Sequence, residues 1–356
     1  MSSLHLAHVR RWFWTLPPVE WGINHLRELL IGALKQGSIP RHVAFVMDGN
    51  RRFARSHDIE VVEGHNLGFE ALARIIEVCY KSGVKVVTVY AFSIENFKRS
   101  KYEVDALMEM FRVKLAQIAQ HGDLLDRYGA SIRIIGQREL VRKDVLEAID
   151  KAVETTSGNK DAILNVCFPY TSRDEITSAI KSTVEDFSKP LPPQARPFSQ
   201  TRITQKIRSK TLATSTSSSR QTDSPTPATL SDAEDSVSSS TTLHPDSPPN
   251  DIQDDQHTAL YPDPEAITAT TIDDHLFTAD LPPLDLLIRT SGVNRLSDFM
   301  LWQCHQNTEI VFLDCFWPAF DLWQFLPVLV EWQWRRKYSE DREVLTKAKA
   351  GKLKTR

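Results

Sequence analysis

The chain of 356 residues is long enough for one large domain or two small ones, and its hydrophobic fraction of 41% and charged fraction of 25% are ordinary for a globular protein. The formal net charge of -3 gives no overall basic field, which argues against a nucleic-acid-binding protein. Four cysteines occur without a CxxC pair or a histidine cluster at zinc spacing, so we expect buried, reduced thiols rather than a zinc site.

Residues 1–40 form a candidate amphipathic arm. The aromatic residues beside Arg10 and Arg11 are Trp12, Phe13, Trp14 and Trp21, and the leucines at helical spacing are Leu26, Leu29, Leu30 and Leu34. This pattern is typical of a membrane-interface segment, but it also fits a helix that packs on its own domain or on a partner. No signal-peptide pattern and no unbroken run of about 18 apolar residues occurs, so any membrane contact is expected to be peripheral.

Strand-like and helix-like segments alternate between residues 42 and 188. The predicted strands are 42–47, 84–92, 131–135 and 162–168, and the predicted helices are 64–82, 101–127, 142–156 and a segment from Arg173 onward. Apolar, β-branched runs that alternate with amphipathic helices are typical of a parallel sheet covered by helices. The sequence therefore predicts an α/β fold with a central, mostly parallel sheet flanked by helices.

A segment of different composition interrupts this pattern at residues 189–265. Ser, Thr and Pro fill more than half of the positions 211–250, which leaves few apolar side chains to offset the entropy of ordering the chain. We predict a disordered insertion within one domain, because further strand and helix signals follow it at 284–288, 309–313 and 320–337. The predicted domain therefore consists of residues 41–188 and 266–337.

Residues 338–356 form a basic C-terminal tail. Nine Lys and Arg residues face three Asp and Glu residues over positions 335–356. Such a tail can lie on an anionic membrane, but it also fits the solvated end of a helix. The sequence leaves both interpretations open.

The first candidate site motif, DGNRR at residues 48–52, directly follows the first predicted strand. A turn between a strand and a helix presents free backbone N–H groups that bind phosphate, and Arg51 and Arg52 add positive charge there. Asp48 is expected at the carboxyl end of its strand, where a single carboxylate among phosphate oxygens suits Mg²⁺. The motif also fits an Asx turn with solvated arginines.

The second motif follows the second predicted strand and contains Ser93, Asn96 and Arg99, which could contact phosphate or move a proton. Ser100 and Glu103 also fit a capping box for the next helix.

The third motif follows the strand 284–288 and contains Arg289, Arg295 and Ser297. Arginine suits bidentate contacts with phosphate. Because parallel strands end at one edge of a sheet, the three motifs should converge there on a ligand with several phosphates or on two diphosphates.

Six segments of the chain carry a resemblance to a known family. They are HVAFVMDGNRRFAR, EGHNLGF, VYAFSIENFKRS, EVDALMEMF, LNVCFPYTSR and LLIRTSGVNRLSDFMLWQ. In this order they resemble the signature blocks of cis-prenyltransferases, and in particular those of the catalytic subunit of eukaryotic dehydrodolichyl diphosphate synthases. The resemblance implies a Mg²⁺-dependent enzyme that adds isopentenyl diphosphate units to farnesyl diphosphate. Its product would be a long polyprenyl diphosphate, the precursor of the dolichol used in protein glycosylation.

The resemblance also implies roles for individual residues. In the family, the residue matching Asp48 holds Mg²⁺ and helps the allylic diphosphate to leave, and the residue matching Asn96 assists proton removal. The positions matching the allylic diphosphate site are Gly49, Asn50, Arg51, Arg52, Phe53 and His65, with Ser93, Glu95, Phe97 and Arg99 in the loop over the reacting carbons. The positions matching the isopentenyl diphosphate site are Arg289, Arg295 and Ser297.

One apolar stripe is a candidate wall for the tunnel that would hold the growing chain. On the predicted helix 101–127 it consists of Val104, Leu107, Met108 and Phe111, continued by Leu115 and Ile118. Ordinary core packing explains the same stripe equally well.

The sequence differs at three points from the bacterial members of the family it resembles. Those members usually have Arg where this chain has Val61, Glu where it has Thr308, and a C-terminal Arg-x-Gly motif that is not found in residues 338–356. The resemblance to the eukaryotic branch implies a heteromer, in which a non-catalytic subunit of the same fold supplies that motif. The expected location is the cytosolic face of the endoplasmic reticulum membrane, with peripheral attachment.

Three other classes of protein compete with this interpretation. A non-catalytic partner subunit would lack the DGNR turn and would start with a membrane-spanning segment. A dinucleotide-binding enzyme would show GxGxxG after a strand, and a trans-type prenyltransferase would be all-helical with DDxxD motifs. The sequence shows the DGNR turn and lacks the other three features.

Overall fold

A computed structural model describes residues 17–120, 123–190, 261–305 and 307–354. Its strands are β1 (His42–Val46), β2 (Val86–Tyr90), β3 (Ala130–Ile135), β4 (Ala162–Cys167), β5 (Leu286–Arg289) and β6 (Glu309–Phe312). Its helices are α1 (Pro17–Leu34), α2 (Asn50–Ser56), α3 (Val61–Ser82), α4 (Lys101–Gln120), α5 (Asp123–Arg127), α6 (Lys143–Thr156), α7 (Ser172–Phe187), α8 (Ala269–Asp273) and α9 (Leu322–Lys354).

The six strands form one sheet in the order β3-β4-β2-β1-β5-β6, and every pairing is parallel. The α/β architecture predicted from the alternating segments is therefore confirmed. β5 follows the interruption at 189–265 and pairs with β1, so the sheet continues after that segment as the sequence predicted. Parallel pairing brings the carboxyl ends of the strands to one edge, where ligands bind open α/β sheets.

The four inner strands, β1, β2, β4 and β5, are buried on both faces, which explains their nearly continuous apolar runs. Val43 and Phe45 of β1 point into the larger core, with residues of α3, α4, α6 and α9. Ala44 and Val46 point to the opposite face, where a smaller core includes Phe299. Alternate residues of one strand thus serve two cores.

The predicted N-terminal arm is described from Pro17 onward, as helix α1. Leu34 is buried in the larger core, and Lys81 of α3 bonds to Glu28 at 2.6 Å. Trp21 and Leu29, however, are 64% and 70% exposed. One face of the helix packs on the domain, as expected for a structural helix. Apolar side chains on its other face are exposed to solvent, as expected for a membrane-interface segment. The aromatic residues at 12–14 lie outside the described residues.

The C-terminal helix is longer than the predicted segment 320–337, because α9 continues to Lys354. The basic tail therefore begins as an extension of this helix. No helix in the described ranges has the length and apolarity needed to cross a membrane.

Two compact units divide the chain. One contains the described residues up to Val184 and from Ile267 onward, and it holds the whole sheet. The other covers 185–266, of which residues 185–190 and 261–266 are described, including a short helical turn at Pro264–Ala266. Most of the predicted disordered insertion lies outside the described residues.

Candidate active site

Asp48 and Arg289 meet at the carboxyl edge of the sheet. Val46 and Arg289 are partners in the pairing of β1 with β5, so Asp48 follows β1 beside the end of β5. Arg289 Nη2 donates a hydrogen bond to Asp48 Oδ2 at 2.7 Å. The Arg289 side chain is 3% exposed and that of Asp48 is 32% exposed. The pair therefore presents a carboxylate to the site with a buried cation behind it.

Further contacts fix the carboxylate of Asp48. Its Oδ1 accepts a hydrogen bond from the N–H of Gly49 at 2.7 Å, and Arg52 Nη2 lies 3.4 Å away from it. Arg52 is held in turn by Ser291, whose carbonyl oxygen accepts from Nη1 at 3.1 Å. Burial acts to raise the pKa of Asp48, but the hydrogen bond and charge of Arg289 outweigh it, so the pKa lies below its ordinary value. Asp48 is therefore an ionised carboxylate among arginines.

The turn after β1 requires glycine at position 49. Gly49 has φ of 107°, and a Cβ there would lie 2.8 Å from the ring of Phe316. The carbonyl oxygen of Asp48 accepts from Thr290 Oγ1 at 2.7 Å and from the N–H of Trp317 at 3.0 Å. The predicted phosphate-binding turn is thus held tightly by the segments that follow β5 and β6.

Glu103 on α4 contacts two arginines of the predicted site, Arg99 and Arg51. Its carboxylate accepts from Arg99 at 2.9 Å and lies 3.9 Å from Arg51. Arg99 Nη2 also donates to Asn96 Oδ1 at 3.0 Å. The predicted capping box is present only in half: Ser100 Oγ accepts from the N–H of Glu103 at 3.3 Å, while the Glu103 side chain pairs with arginines.

The residues predicted for isopentenyl diphosphate form a second group. Ser297 Oγ accepts from Arg289 Nη1 at 2.5 Å and from Arg295 Nε at 3.1 Å. Arg289 therefore contacts both Asp48 and Ser297. The two diphosphate sites implied by the family resemblance share one buried guanidinium.

His65 is half-buried on α3 and lines a cavity at this edge of the sheet. Burial, together with the positive charge of Arg99, lowers its pKa to about 4, so the ring is neutral at pH 7. Its Nε2 has no hydrogen-bond partner within the described ranges. Since a buried polar atom without a partner is unfavourable, this nitrogen is available to a ligand.

One cavity of about 900 Å³ brings most of the predicted site residues together. Its lining includes Asp48, Gly49, Asn50, Arg51, Arg52, His65, Ser93, Glu95, Asn96, Arg99, Arg289, Arg295 and Ser297. Phe53 and Phe97 are not brought to it. Phe53 stacks on His57 with ring centroids 4.0 Å apart, and Phe97 meets Phe92 edge-on at 5.1 Å.

The rest of the cavity is largely apolar, and α4 supplies part of its wall. Leu107, Phe111 and Leu115 line it, and the ring of Phe111 stacks on Phe168 at 3.8 Å. Met108, from the same sequence stripe, is instead buried in the core. The stripe therefore serves both as cavity wall and as core. Ile118 has no described side chain.

Sequence reasoning missed several cavity residues. Tyr90 ends β2 and stacks on Phe299 at 4.6 Å, and Trp317 donates from Nε1 to the carbonyl oxygen of Gly68 at 2.7 Å. The position of Tyr90 at a strand end was an available signal. Lys114, which lies over the ring of Phe69 at 5.3 Å, had no signal because it occupies the polar side of the predicted helix pattern.

The donor groups present fit Mg²⁺ shared with a diphosphate. In the described part of the chain, no group of three or more His, Cys, Asp or Glu side chains could hold a metal alone. Asp48 offers one ionised carboxylate, and Mg²⁺ is commonly bound by one or two carboxylates together with substrate phosphate oxygens. The residues therefore suit a cation that arrives with its phosphate ligand.

Arginines and a carboxylate lie at the edge of a parallel sheet, beside a cavity with a largely apolar wall, and this arrangement suits a ligand with a phosphorylated head group and an apolar tail. A family model described as "Putative undecaprenyl diphosphate synthase" matches residues 46–227 and 230–339. The chain belongs to this cis-prenyltransferase family and is a prenyltransferase of the eukaryotic type.

Two relatives and one solved structure show the extent of the similarity. A dehydrodolichyl diphosphate synthase complex subunit of Schizosaccharomyces pombe is 42% identical over 328 residues, which are 92% of this chain and 98% of the relative. The corresponding Homo sapiens subunit is 32% identical over 318 residues, 87% and 74% of the two chains. The crystal structure of lavandulyl diphosphate synthase from Lavandula x intermedia, in complex with dimethylallyl diphosphate, shares the fold. It has a TM-score of 0.57 and 24% identity over 83% of this chain and 95% of that chain.

Proposed function

We propose that the chain is the catalytic subunit of a dehydrodolichyl diphosphate synthase. It condenses isopentenyl diphosphate units onto farnesyl diphosphate, with Mg²⁺, to make a long polyprenyl diphosphate that serves as precursor of dolichol for protein glycosylation. The observation that carries this proposal is the contact of Arg289 with both Asp48 and Ser297 at the cavity. One buried cation between two groups of anion-binding side chains suits two diphosphates held side by side.

The proposed reaction breaks the C1–O bond of the allylic substrate and releases its diphosphate. The terminal alkene carbon (C4) of isopentenyl diphosphate forms the new bond to C1, and its C2 then loses a proton as the new double bond forms between C2 and C3. Negative charge grows on the leaving diphosphate, where Arg51, Arg52 and the N–H groups of the turn after β1 stabilise it. Bound Mg²⁺ would add positive charge to the same diphosphate oxygens.

Asp48 and Asn96 have different tasks in this scheme. Asp48 is the ionised group that would hold the metal at the diphosphate. The Asn96 amide is fixed by its hydrogen bond from Arg99. Because an amide is a weak base, we assign to Asn96 the orientation of the departing proton toward a diphosphate oxygen.

The apolar part of the cavity would receive the growing hydrocarbon. Burial of each added methylene is favourable by about 0.8 kcal/mol, so an apolar wall draws the chain away from water. Leu107, Phe111 and Leu115 form part of that wall. Holding both substrates together at the polar end lowers the entropic part of the barrier.

We also propose that the enzyme works as a heteromer on a membrane. The relatives in two organisms are named as complex subunits, which supports a partner subunit. We assign to that partner the Arg-x-Gly motif that residues 338–356 lack. Exposed Trp21 on α1 and Trp334 on α9, together with the basic tail, support peripheral contact with the cytosolic face of the endoplasmic reticulum.

Incorporation of radiolabelled isopentenyl diphosphate tests the proposal. The chain is assayed with farnesyl diphosphate and Mg²⁺, alone and co-expressed with its candidate partner. We expect long polyprenyl product only with the partner, and none from a complex that carries Asp48→Ala. Equal product without the partner would contradict the heteromer. A folded complex without product would identify the chain as a non-catalytic subunit instead.

A further inference from the structure

Asp298 joins the segment after β5 to the start of helix α7. Its carbonyl oxygen accepts a hydrogen bond from the N–H of Ser172 at 2.7 Å, and its Oδ1 accepts from the N–H of Arg173 at 3.0 Å. Its Oδ2 accepts from Arg173 Nε at 2.8 Å. The first N–H groups of a helix have no partner within the helix, and a carboxylate is favourable there. A residue distant in sequence thus caps α7.

The backbone around Asp298 adopts conformations that L-residues rarely choose. Ser297, Asp298 and Met300 all have positive φ, at 52°, 60° and 47°. Such conformations persist only where surrounding contacts enforce them. A second contact from α7 supplies part of that constraint, because Ser172 Oγ accepts from the N–H of Leu301 at 2.9 Å. The start of α7 therefore holds this segment on both sides.

The constrained segment carries the group that orients two arginines of the site. Ser297, which directly precedes Asp298, accepts hydrogen bonds from Arg289 and Arg295. A shift of Asp298 would move Ser297, which would weaken the hydrogen bond to Arg295 and one of the contacts of Arg289. Asp298 also lines the cavity, but both of its carboxylate oxygens accept hydrogen bonds from Arg173. We therefore assign to Asp298 an effect on the site that runs through Ser297.

We infer that Asp298 and Arg173 are a positioning pair for the isopentenyl diphosphate site, an inference that rests on the proposed function. The pair fixes the left-handed segment that aligns Ser297, Arg289 and Arg295. Breaking it loosens Ser297 and Arg295 of the isopentenyl diphosphate site most, because Arg289 keeps its contact with Asp48 and the turn after β1 is held by other segments.

Two substitutions test the pair in the full-length chain purified with its partner subunit. In Asp298→Asn, the amide oxygen can still accept a hydrogen bond from the backbone N–H of Arg173. The amide NH2 group then faces Arg173 Nε, so two donors meet and that hydrogen bond is lost. Arg173→Gln removes the guanidinium and leaves the backbone cap in place. Because the Arg173 side chain is 73% exposed, loss of its contact with Asp298 corresponds to about a three- to fivefold effect. We expect KM for isopentenyl diphosphate to rise about three- to fivefold in each variant. KM for farnesyl diphosphate should change less than about twofold in Asp298→Asn, whereas Arg173→Gln also removes the charge that lies 3.8 Å from Glu95.

A matched control comes from another Arg–Asp pair. Arg138 donates to Asp150 at 2.5 Å on an exposed surface, and neither residue lines the cavity. Asp150→Asn should leave both KM values unchanged.

Isothermal titration calorimetry measures the Kd of isopentenyl diphosphate without turnover. In Asp298→Asn and Arg173→Gln this Kd should rise together with KM. The double variant should have a Kd for isopentenyl diphosphate no higher than that of the more impaired single variant, because both substitutions remove the same contact.

The outcomes separate this inference from the proposed function. If the wild-type complex is active and both variants keep the wild-type KM and Kd for isopentenyl diphosphate, the positioning role is wrong and the function stands. Equal rises in both KM values, accompanied by a lower Tm, would show a merely structural role and also overturn it. A wild-type complex that neither turns over nor binds isopentenyl diphosphate would overturn both.

Discussion

Arg289 Nη2 lies 2.7 Å from Asp48 Oδ2, and this contact joins the ends of two neighbouring strands, β1 and β5. The guanidinium is almost completely buried and also donates to Ser297. An arginine can serve both partners because its donors are fixed in a planar fork, whereas lysine offers one compact ammonium group. The connection between the two proposed diphosphate sites therefore depends on the shape of the side chain as well as on its charge.

Replacing this arginine by lysine tests that dependence. Arg289→Lys keeps the charge but cannot reach Asp48 and Ser297 together. Loss of hydrogen bonds to a charged group costs about 1.5–3 kcal/mol each. We expect kcat/KM for isopentenyl diphosphate to fall by about 10- to 100-fold, measured by steady-state incorporation of the radiolabelled substrate.

Arg133→Lys provides the control for this substitution. Arg133 makes a bidentate contact with Asp280 at 2.9 and 2.7 Å, but both side chains are exposed. Exposed pairs contribute about 0–1 kcal/mol, so activity should remain at the wild-type level. Equal activity of Arg289→Lys and Arg133→Lys would contradict the role given to Arg289.

A comparison of two glycines with the same backbone conformation distinguishes backbone strain from steric crowding at the turn after β1. Gly49 has φ of 107° and Gly83 has φ of 105°, but only at Gly49 would a Cβ come within 4 Å of other atoms, including Phe316 at 2.8 Å. Gly83→Ala should lose about 1–2 kcal/mol from left-handed strain. Gly49→Ala should lose about 1–3 kcal/mol more, because it also overpacks the turn.

Urea denaturation of both glycine variants gives the comparison, with the free energy of unfolding as the measured quantity. Prenyl transfer should fall in Gly49→Ala and remain in Gly83→Ala, since only the first glycine belongs to the cavity. Equal losses of stability in the two variants would show that the close approach of Phe316 is relaxed without cost.

His42 makes the stability of the fold depend on pH. Burial lowers its pKa from 6.5 to about 4, despite a hydrogen bond to the carbonyl oxygen of Pro282. The unfolded chain therefore binds a proton between pH 6.5 and 4 that the folded chain does not. Stability from this group is complete above pH 6.5 and is lost as the pH falls toward 4. The difference between a pKa of 6.5 in the unfolded chain and about 4 in the folded chain corresponds to about 3 kcal/mol of unfolding free energy.

His42→Gln measures this contribution. The free energy of unfolding is determined by urea denaturation at pH 7.5 and at pH 4.5 for both proteins. The variant should be less stable at pH 7.5, because Thr88 loses its contact with His42 at 2.7 Å, but it should lose less stability on acidification. Parallel pH dependences would show that His42 does not titrate as described.

Deletion of residues 195–262 should leave catalysis largely intact. The composition of this segment predicts disorder, and the family-like motifs lie before and after it. Because β5 pairs directly with β1, the sheet joins the two flanking parts of the chain. Turnover and Tm of the shortened chain are compared with those of the full chain. Loss of turnover at an unchanged Tm would give the insertion a role in the reaction.

The sequence predicted the fold and the edge of the sheet where the candidate site lies. Strand ends are visible because apolar β-branched runs stop at polar motifs, and parallel pairing then requires those motifs to converge. This reasoning placed Asp48 and Arg289 at the same edge. It could not show that they touch, because their contact depends on the order of β1 and β5 in the sheet.

Other features of the site depend on tertiary packing that local patterns do not encode. Glu103 fits a capping box in the sequence, yet its side chain turns to Arg99. Phe97 lies within a site motif, yet it packs against Phe92. The cap that Asp298 provides for α7 has no local signal, since the two residues it joins are far apart in the chain.

The rate of prenyl transfer by the complex that carries Asp48→Asn tests the proposed site most directly. Asparagine keeps the size of the side chain but removes the ionised carboxylate. We predict that kcat falls at least about 100-fold, as is typical when one preorganised charged or hydrogen-bonding group is lost from a transition state. Binding of isopentenyl diphosphate, measured by calorimetry, should persist. A variant with wild-type kcat would contradict the assignment of Asp48, and with it the proposed active site.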